Sequence, residues 1–305
     1  MKNANFHKAK VYVIAQDKGI RQSLKTVLFS KGFRTVQATG SLDLLVDAIN
    51  LKDLPDLVIT DVDFEDQDAC ELIFSIRNKR FGDDPYLPVV GMAWNPQPDL
   101  IHKVINAGFD FFVAKPFSAQ QISERIEKIV YERQPFVVTG DYLGPNRHKD
   151  ANRESKIPAF EVPNSLKSTA VDNLRKSDHR QKIRETNKAV NQQRLNQLAA
   201  DIERLVALIV PDLDAKKVDS TTVENLDQLL EMLKHTRFHA VKDTQADIRD
   251  LCVTFYRTVK SLLTADGEIN LSDVKKLQPL SDAVTAGLTK TQSTDDPSAQ
   301  EQQIA

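Results

Sequence analysis

The sequence predicts an α/β fold in its first part, a five-stranded doubly wound parallel sheet, followed by a linker and an all-α C-terminal module. In the first part, short runs rich in β-branched and aromatic residues alternate with segments whose apolar residues recur every three or four positions. Strands that alternate with helices in this way form βαβ units, and their parallel sheet is covered on both faces. In the last part only the helical spacing remains, which is typical of packed helices.

Each predicted strand is short and apolar, as expected for a strand buried on both faces. The predicted strands are, in chain order, Val11–Ile14, Phe33–Ala38, Leu54–Asp61, Pro88–Met92 and Phe111–Ala114. The helices predicted after them are Arg21–Lys31, Leu44–Ile49 with Ser41 as its cap, Ala69–Asn78, Asp99–Ala107 and Ala119–Tyr131. Gly32 and Gly108 end two of these helices. The alternation indicates a first domain over residues 9–132.

The third predicted strand ends on a carboxylate, Asp61, directly after an apolar run. In open parallel sheets, binding and chemistry gather at the carboxyl ends of the strands. Asp61 is therefore the first residue around which a functional site is expected.

Three stretches of this domain resemble the receiver domain of two-component response regulators, the CheY-like family. Pro55–Asp61 is similar to the strand that bears the family's phosphoacceptor aspartate, and Asp68–Leu72 fits its Asp-Gly-x-Glu-Leu motif with Ala69 in place of glycine. Ala107–Phe117 is similar to the closing Ala-Gly-Ala…Lys-Pro-Phe signature. The resemblance covers about the first 130 residues and implies a flavodoxin-like receiver fold.

The resemblance also implies roles for four residues. Asp61 is the phosphoacceptor candidate, and Lys115 is its charge partner or that of an attached phosphoryl group. Ala93 occupies the family's Ser/Thr switch position, and Phe112 occupies its aromatic switch position. A cis peptide before Pro116 is expected from the same likeness.

The sequence departs from the family where magnesium would bind. An acidic pair normally follows the first strand, but Ala15 and Gln16 stand there. Mg²⁺ demands oxygen ligands in near-octahedral geometry, so Asp61 remains the clear ligand if the metal binds at all. Asp17 is a weak further candidate, because its register turns it outward. Ala93 has no hydroxyl to bond a phosphoryl group.

These departures favour a pseudo-receiver, a domain with weakened or absent Mg-dependent phosphorylation that acts by protein–protein binding. The alternative is a genuine phospho-switch that accepts phosphate on Asp61. In both interpretations the chain is a signal transduction protein of the phosphorelay type and not an enzyme. The family implies protein partners, such as a histidine kinase or a phosphotransfer protein.

Residues 133–190 are predicted to be a basic, largely flexible linker. Prolines are scattered through it, Lys and Arg are frequent, and no apolar periodicity is visible. Its early part, Phe136–His148, resembles a Tyr-Phe-Gly-Pro-Asp-Arg-Arg tail that follows some bacterial receiver domains. We expect Phe136–Tyr142 to dock on a folded surface and the rest to be mobile.

Residues 191–289 are predicted to form a helical bundle or coiled-coil module, and residues 290–305 a disordered tail. Four amphipathic stretches carry this prediction: Leu195–Ile209 ending before Pro211, Val223–Leu233, Ile248–Leu263, and Val274–Val284 with Ser272 as its cap. Self-association through the long charged first helix is a further expectation.

Two motifs in this module suggest chemistry. His239-Ala240-Val241-Lys242 superficially resembles the His-x-Leu-Lys-Gly motif of histidine phosphotransfer domains, although Asp243 replaces the glycine. Phosphotransfer from His239 is therefore the less favoured alternative. Asp266-Gly267-Glu268 resembles part of a calcium loop, but the first ligand position holds Leu262, so a helix-to-helix turn is expected.

Composition and charge exclude several classes. The 305 residues are 41% hydrophobic and 28% charged with a net charge of −2, which gives no argument for nucleic-acid or membrane partners. No stretch resembles a signal peptide or a membrane span. Cys70 and Cys252 lie far apart and form no CxxC pair, as expected for buried thiols in a reducing cytoplasm. A cytoplasmic location follows as a prediction.

Overall fold

A computed structural model describes residues 4–140, 142–147, 158–239, 246–264 and 270–290, in two compact units. The first unit contains residues 1–138 and 142–187, and the second contains residues 139–141 and 188–305. No helix in these described ranges is both long and apolar enough to cross a membrane.

The first unit is built on a five-stranded, all-parallel sheet with the order β2-β1-β3-β4-β5. Its strands and helices are β1 (Lys10–Ile14), α1 (Lys18–Ser30), β2 (Thr35–Thr39), α2 (Asp43–Asn50), β3 (Leu57–Asp61), α3 (Ala69–Arg77), β4 (Val89–Trp94), α4 (Pro98–Ala107), β5 (Phe111–Lys115) and α5 (Ala119–Tyr131). The predicted α/β class, strand number and alternation are confirmed.

Burial explains why these runs form a central sheet. All five residues of β3 are buried, whereas the edge strand β2 is exposed or half-buried throughout. One face of the sheet packs on α1 and α5, and the other on α2, α3 and α4. A parallel strand covered on both faces needs the continuous apolar run that β3 shows in the sequence.

A close approach between β4 and the chain before β5 depends on a glycine. A Cβ added to Gly91 would lie 3.0 Å from Cδ1 of Phe109 and 3.0 Å from Cγ1 of Val62. The Phe109 ring is completely buried over this gap. Gly91 therefore makes room for a large aromatic side chain in the core.

We expect Gly91→Ala to destabilise the first unit by about 1–3 kcal/mol, because the added methyl group overpacks the core. Urea denaturation followed by the fluorescence of Trp94, the single tryptophan of the chain, measures this unit. Phe109→Leu in the same chain is expected to relieve part of the overpacking. Strictly additive costs of the two substitutions would contradict this account.

The structure differs from the predicted flexible linker of residues 133–190. Its described residues form three short antiparallel strands, with the order β7-β6-β8, and then two helices. These elements are β6 (Phe136–Val138), β7 (Leu143–Pro145), β8 (Ala159–Phe160), α6 (Ser165–Ala170) and the start of α7 (Lys176–Asp214). Docking of Phe136 agrees with expectation, but the packed stretch continues through Arg147 and resumes at residue 158. Residues 148–157 lie outside the described ranges.

A buried charge network holds this extension to the receiver-like sheet. Asp110, just before β5, accepts hydrogen bonds from Arg77 Nη2 at 3.2 Å and from Arg133 Nε at 2.7 Å. Arg77 also donates to three backbone carbonyls, and both guanidinium groups lie within 5.3 Å of the Phe136 ring centroid. Burial lowers the pKa of Arg77 to about 10. The composition of residues 133–190 suggested a flexible linker, because the sequence does not reveal these ion-pair partners.

The second unit is helical and contains α8 (Ser220–His239), α9 (Ala246–Thr264), α10 (Leu271–Lys290) and the later part of α7. Buried residues from all four helices form one apolar core. The first of these helices does not end before Pro211, as predicted, but continues to Asp214. Leu213 is buried in the core, so packing outweighs the hydrogen bond that proline removes.

A second correction concerns the cap of the last helix. The predicted cap was Ser272, but Asn270 caps α10, and its side-chain oxygen accepts from the Ser272 N–H at 3.0 Å. The Asp266-Gly267-Glu268 turn lies outside the described residues, as does the predicted disordered tail beyond Lys290. Coiled-coil self-association stays a prediction.

Candidate functional site

Asp61 ends β3 at the carboxyl edge of the parallel sheet, where the sequence places it. Its side chain is 2% exposed, and each carboxylate oxygen accepts one hydrogen bond. Lys115 Nζ, at the end of β5, donates to Oδ1 at 2.8 Å, and the backbone N–H of Gln16 donates to Oδ2 at 2.9 Å. The ends of β1, β3 and β5 therefore meet at one carboxylate.

The pKa of Asp61 is raised above its ordinary value, and burial is the main cause. The hydrogen bonds from Lys115 and from the Gln16 N–H act in the opposite direction, because they favour the charged form. The site is thus a desolvated carboxylate that depends on its two donors to stay ionised.

Lys115 lies between two carboxylates. Its Nζ is 2.8 Å from Asp61 Oδ1 and 3.6 Å from Asp63 Oδ1, and its side chain is 2% exposed. Asp63 Oδ2 accepts a hydrogen bond from the backbone N–H of Trp94 at 3.1 Å. The Trp94 ring is half exposed, and its centroid lies 5.3 Å from Lys115 Nζ. The ammonium is therefore enclosed by two carboxylates and an aromatic face.

The residues present do not fit a magnesium ion. At the end of β1, Ala15 is buried without an oxygen-bearing side chain, and Gln16 is exposed. Asp17 accepts from the Ile20 N–H at 2.8 Å and caps α1, so it turns away as its register predicts. The single ammonium of Lys115 already contacts both Asp61 and Asp63. Within the described ranges, no group of three or more His, Cys, Asp and Glu side chains is placed to hold a metal.

The two residues expected at switch positions, Ala93 and Phe112, lie on the neighbouring strands β4 and β5. Ala93 is completely buried in β4 and pairs with Ala114 of β5. Phe112 pairs with Gly91 and is half-buried, packed against the core on the α2, α3 and α4 side. The peptide bond between Lys115 and Pro116 is cis.

The structure brings Asp61, Lys115 and Ala93 to one edge of the sheet but leaves Asp17 outside the site. His239 is the last residue of α8, and its side chain lies outside the described part of the chain. Phosphotransfer from His239 therefore stays a prediction.

Sequence reasoning missed three residues of the site: Asp63, Trp94 and Arg21. Asp63 follows Asp61 by two positions, and Trp94 follows Ala93 directly. Their closeness in the sequence to predicted site residues could have identified both. Arg21 Nη1 donates to the carbonyls of Ala15 at 2.5 Å and Gln16 at 2.8 Å. Nothing in its sequence position predicts which carbonyls its side chain reaches.

A doubly wound parallel sheet with a buried Asp–Lys pair at its carboxyl edge defines the class of this domain. Residues 11–127 match the family model described as the response regulator receiver domain. The N-terminal domain of this chain is therefore a response regulator receiver domain, as the sequence resemblance predicted.

Two known proteins are similar to this part of the chain. The transcriptional regulatory protein PdtaR of Mycobacterium tuberculosis is 31% identical over 121 residues, which are 39% of this chain and 55% of that protein. The sporulation initiation phosphotransferase F of Bacillus subtilis is 28% identical over 119 residues, which are 39% of this chain and 91% of that protein. The chain thus spans about half the length of the mycobacterial relative.

Solved structures similar to the domain include FixJ-N, with 21% identity and a TM-score of 0.35 over 40% of this chain and 92% of that one. A response regulator receiver domain protein from Clostridium thermocellum is similar with 23% identity and a TM-score of 0.35, over 39% of this chain and 92% of that one.

Proposed function

We propose that this protein is a two-component signalling protein whose receiver domain acts as a phosphorylation-independent binding module, a pseudo-receiver. One observation carries the proposal. At the end of β1, where the family places metal-binding carboxylates, the chain offers the methyl group of Ala15 and the exposed Gln16. The next residue along the chain, Asp17, is an acid but is engaged as a helix cap.

The loss of these carboxylates matters because phosphoryl transfer depends on neutralising charge. A metal ion that bridges the acceptor and the phosphoryl oxygens usually supplies most of that stabilisation. Ala93 supports the same conclusion, since it offers no hydroxyl to a phosphoryl group. The buried pair of Asp61 and Lys115 is then a structural element of the carboxyl edge of the sheet.

The proposed activity is binding and not catalysis, and no cofactor is required for it. The names of the two relatives, a transcriptional regulator and a phosphotransferase, support partners from a signalling pathway such as a histidine kinase or a phosphotransfer protein. The helical second unit is the proposed output or interaction module, and a cytoplasmic location stays a prediction.

The second candidate function is a phospho-switch on Asp61. The chain retains both Asp61 and Lys115, which favours this function. Lys115 Nζ lies 2.8 Å from Asp61 Oδ1, the distance expected between a phosphoacceptor carboxylate and its cation. In this function Asp61 and Asp63 would be the carboxylates left to hold a metal ion, because Ala15 and Gln16 carry none.

Amide NMR of the full-length chain with beryllofluoride, with and without Mg²⁺, tests the proposal. The full chain is used because residues 133–138, 142–147 and 158–187 belong to the same unit as the receiver. We expect the signals of Gln16, Lys115 and Phe112 to stay unmoved. Shifts that appear with Mg²⁺ and vanish in Asp61→Asn would establish the phospho-switch instead.

A gain-of-binding variant provides the positive control. The double substitution Ala15→Asp with Gln16→Asp restores the acidic pair, so we expect it to bind Mg²⁺ and to respond to beryllofluoride. If the amide signals shift in this variant but not in the wild type, the missing carboxylates are the reason that the wild type does not respond.

A further inference from the structure

A fixed cation lies at the carboxyl end of β1. The guanidinium of Arg21, on the first turns of α1, donates from Nη1 to the carbonyl oxygens of Ala15 and Gln16, at 2.5 Å and 2.8 Å. These are the two residues at which the chain lacks an acidic pair. A positive group thus binds the backbone carbonyls of these two residues, next to the peptide whose N–H faces Asp61.

The peptide unit between Ala15 and Gln16 joins this cation to Asp61. Its carbonyl oxygen accepts from Arg21, and its N–H donates to Asp61 Oδ2 at 2.9 Å. Hydrogen bonds that pass through one amide strengthen each other, because a donor at the oxygen polarises the N–H. The guanidinium is always charged, so it makes the Gln16 N–H a stronger donor to the carboxylate.

The end of β2 leaves space for this arrangement. A Cβ added to Gly40 would lie 3.3 Å from Arg21 Nη1 and 3.7 Å from the Ala15 carbonyl oxygen. Any side chain at this position would press on the guanidinium. Gly40 therefore allows Arg21 to reach both carbonyls.

We propose that Arg21 is a positioning residue of the receiver site, which acts through the Ala15–Gln16 peptide to hold and orient the Asp61 carboxylate. This inference rests on the proposed function, because it assigns to a side chain the part that a metal takes in a phosphorylated receiver. Lys115 neutralises Oδ1, and Arg21 acts on Oδ2. A partner then meets the same state of Asp61 whether or not Mg²⁺ is present.

The test is an NMR titration of the full-length chain labelled with ¹³C at the aspartate carboxyl groups, with the Asp61 signal assigned by its loss in Asp61→Asn. We expect Arg21→Gln to move the Asp61 titration midpoint up by about half a pH unit, since the N–H donor is weakened. The Gln16 amide proton is expected to move upfield in the same variant. Arg21→Lys should recover part of both changes, and Gly40→Ala should produce smaller changes in the same direction.

Arg34 offers a matched control. Its Nη1 also donates to two backbone carbonyls, those of Phe29 at 3.2 Å and Phe33 at 2.8 Å. Arg34 itself directly precedes β2, so it lies at the opposite edge of the sheet from Asp61. We expect Arg34→Gln to leave the Asp61 midpoint and the Gln16 amide signal unchanged.

Ionic strength separates the relay from a simple field effect. Attraction through solvent is screened by salt, whereas polarisation through the bonds of one peptide unit is not. A midpoint shift that persists in high NaCl supports the relay. An unchanged midpoint in Arg21→Gln, or a shift that high salt abolishes, overturns it. Failure of the proposed function gives a different result, namely a wild-type Asp61 signal that moves when Mg²⁺ is added.

Discussion

Asp110→Ala is expected to destabilise the first unit by about 3–5 kcal/mol, the largest loss among the substitutions considered. The Asp110 side chain is 1% exposed and forms ion pairs with two guanidinium groups, those of Arg77 and Arg133. Removing it leaves two buried positive charges uncompensated, and it also removes the acceptor of the Val89 N–H at 2.9 Å. Urea denaturation followed by Trp94 fluorescence measures the loss, because the single tryptophan lies in this unit.

The matched control is Asp53→Ala. Asp53 also pairs with two cations, Lys10 at 2.7 Å and Lys176 at 3.2 Å, but its side chain is 56% exposed. Solvent screens such pairs, so we expect a loss below about 1 kcal/mol. If Asp110→Ala cost no more than Asp53→Ala, the buried network would not be what holds the extension to the sheet.

Lys115→Met is expected to destabilise the same unit by about 3 kcal/mol at neutral pH, because it leaves the buried Asp61 carboxylate without its cation. Methionine keeps most of the apolar stem, so the change chiefly removes charge. The midpoint of unfolding is the quantity to compare, since Lys115 lies close enough to the Trp94 ring to alter its intensity.

The loss should depend on pH in a defined direction. Without Lys115, the pKa of Asp61 rises further above its ordinary value of 3.8. Between the unfolded and folded pKa values the folded state then binds more protons than the unfolded state, so stability falls as pH rises through that interval. We expect the penalty to be small near pH 4 and to grow toward neutrality.

A double substitution completes this test. Asp61→Asn combined with Lys115→Met removes both charges, so most of the stability lost in Lys115→Met should return. A penalty that is independent of pH, or a double variant as unstable as Lys115→Met, would show that the loss comes from packing and not from the unpaired carboxylate.

Periodicity and the likeness of short motifs predicted the receiver sheet correctly. The runs ending at Ile14 and Asp61 became central strands, because a strand buried on both faces must be apolar throughout. The sequence also placed Asp61 at the carboxyl edge of the sheet, and the family resemblance implied Lys115 as its charge partner. It identified Ala15 and Gln16 as departures from the metal-binding pattern, because that inference needs only residue types.

The extension after the receiver could not be predicted in the same way. Arg133 in a stretch rich in Lys and Arg looks like a solvated charge until Asp110 and Phe136 are known to surround it. The end of α7 could not be predicted either. Only the burial of Leu213 in the helical core explains why the helix continues beyond Pro211. Local composition reports the preference of a segment for water but not the partners that compensate a buried charge.

The sequence by itself therefore determined the fold class, the place of Asp61 at the end of a buried strand and the absence of the acidic pair. Only the tertiary structure decided how the site is neutralised: Lys115 between Asp61 and Asp63, Trp94 beside it, and Arg21 on the carbonyls of Ala15 and Gln16. The physical reason is that burial follows from the spacing of apolar residues, which is local. Electrostatic compensation depends on distances between side chains that are far apart in the chain, and folding alone sets those distances.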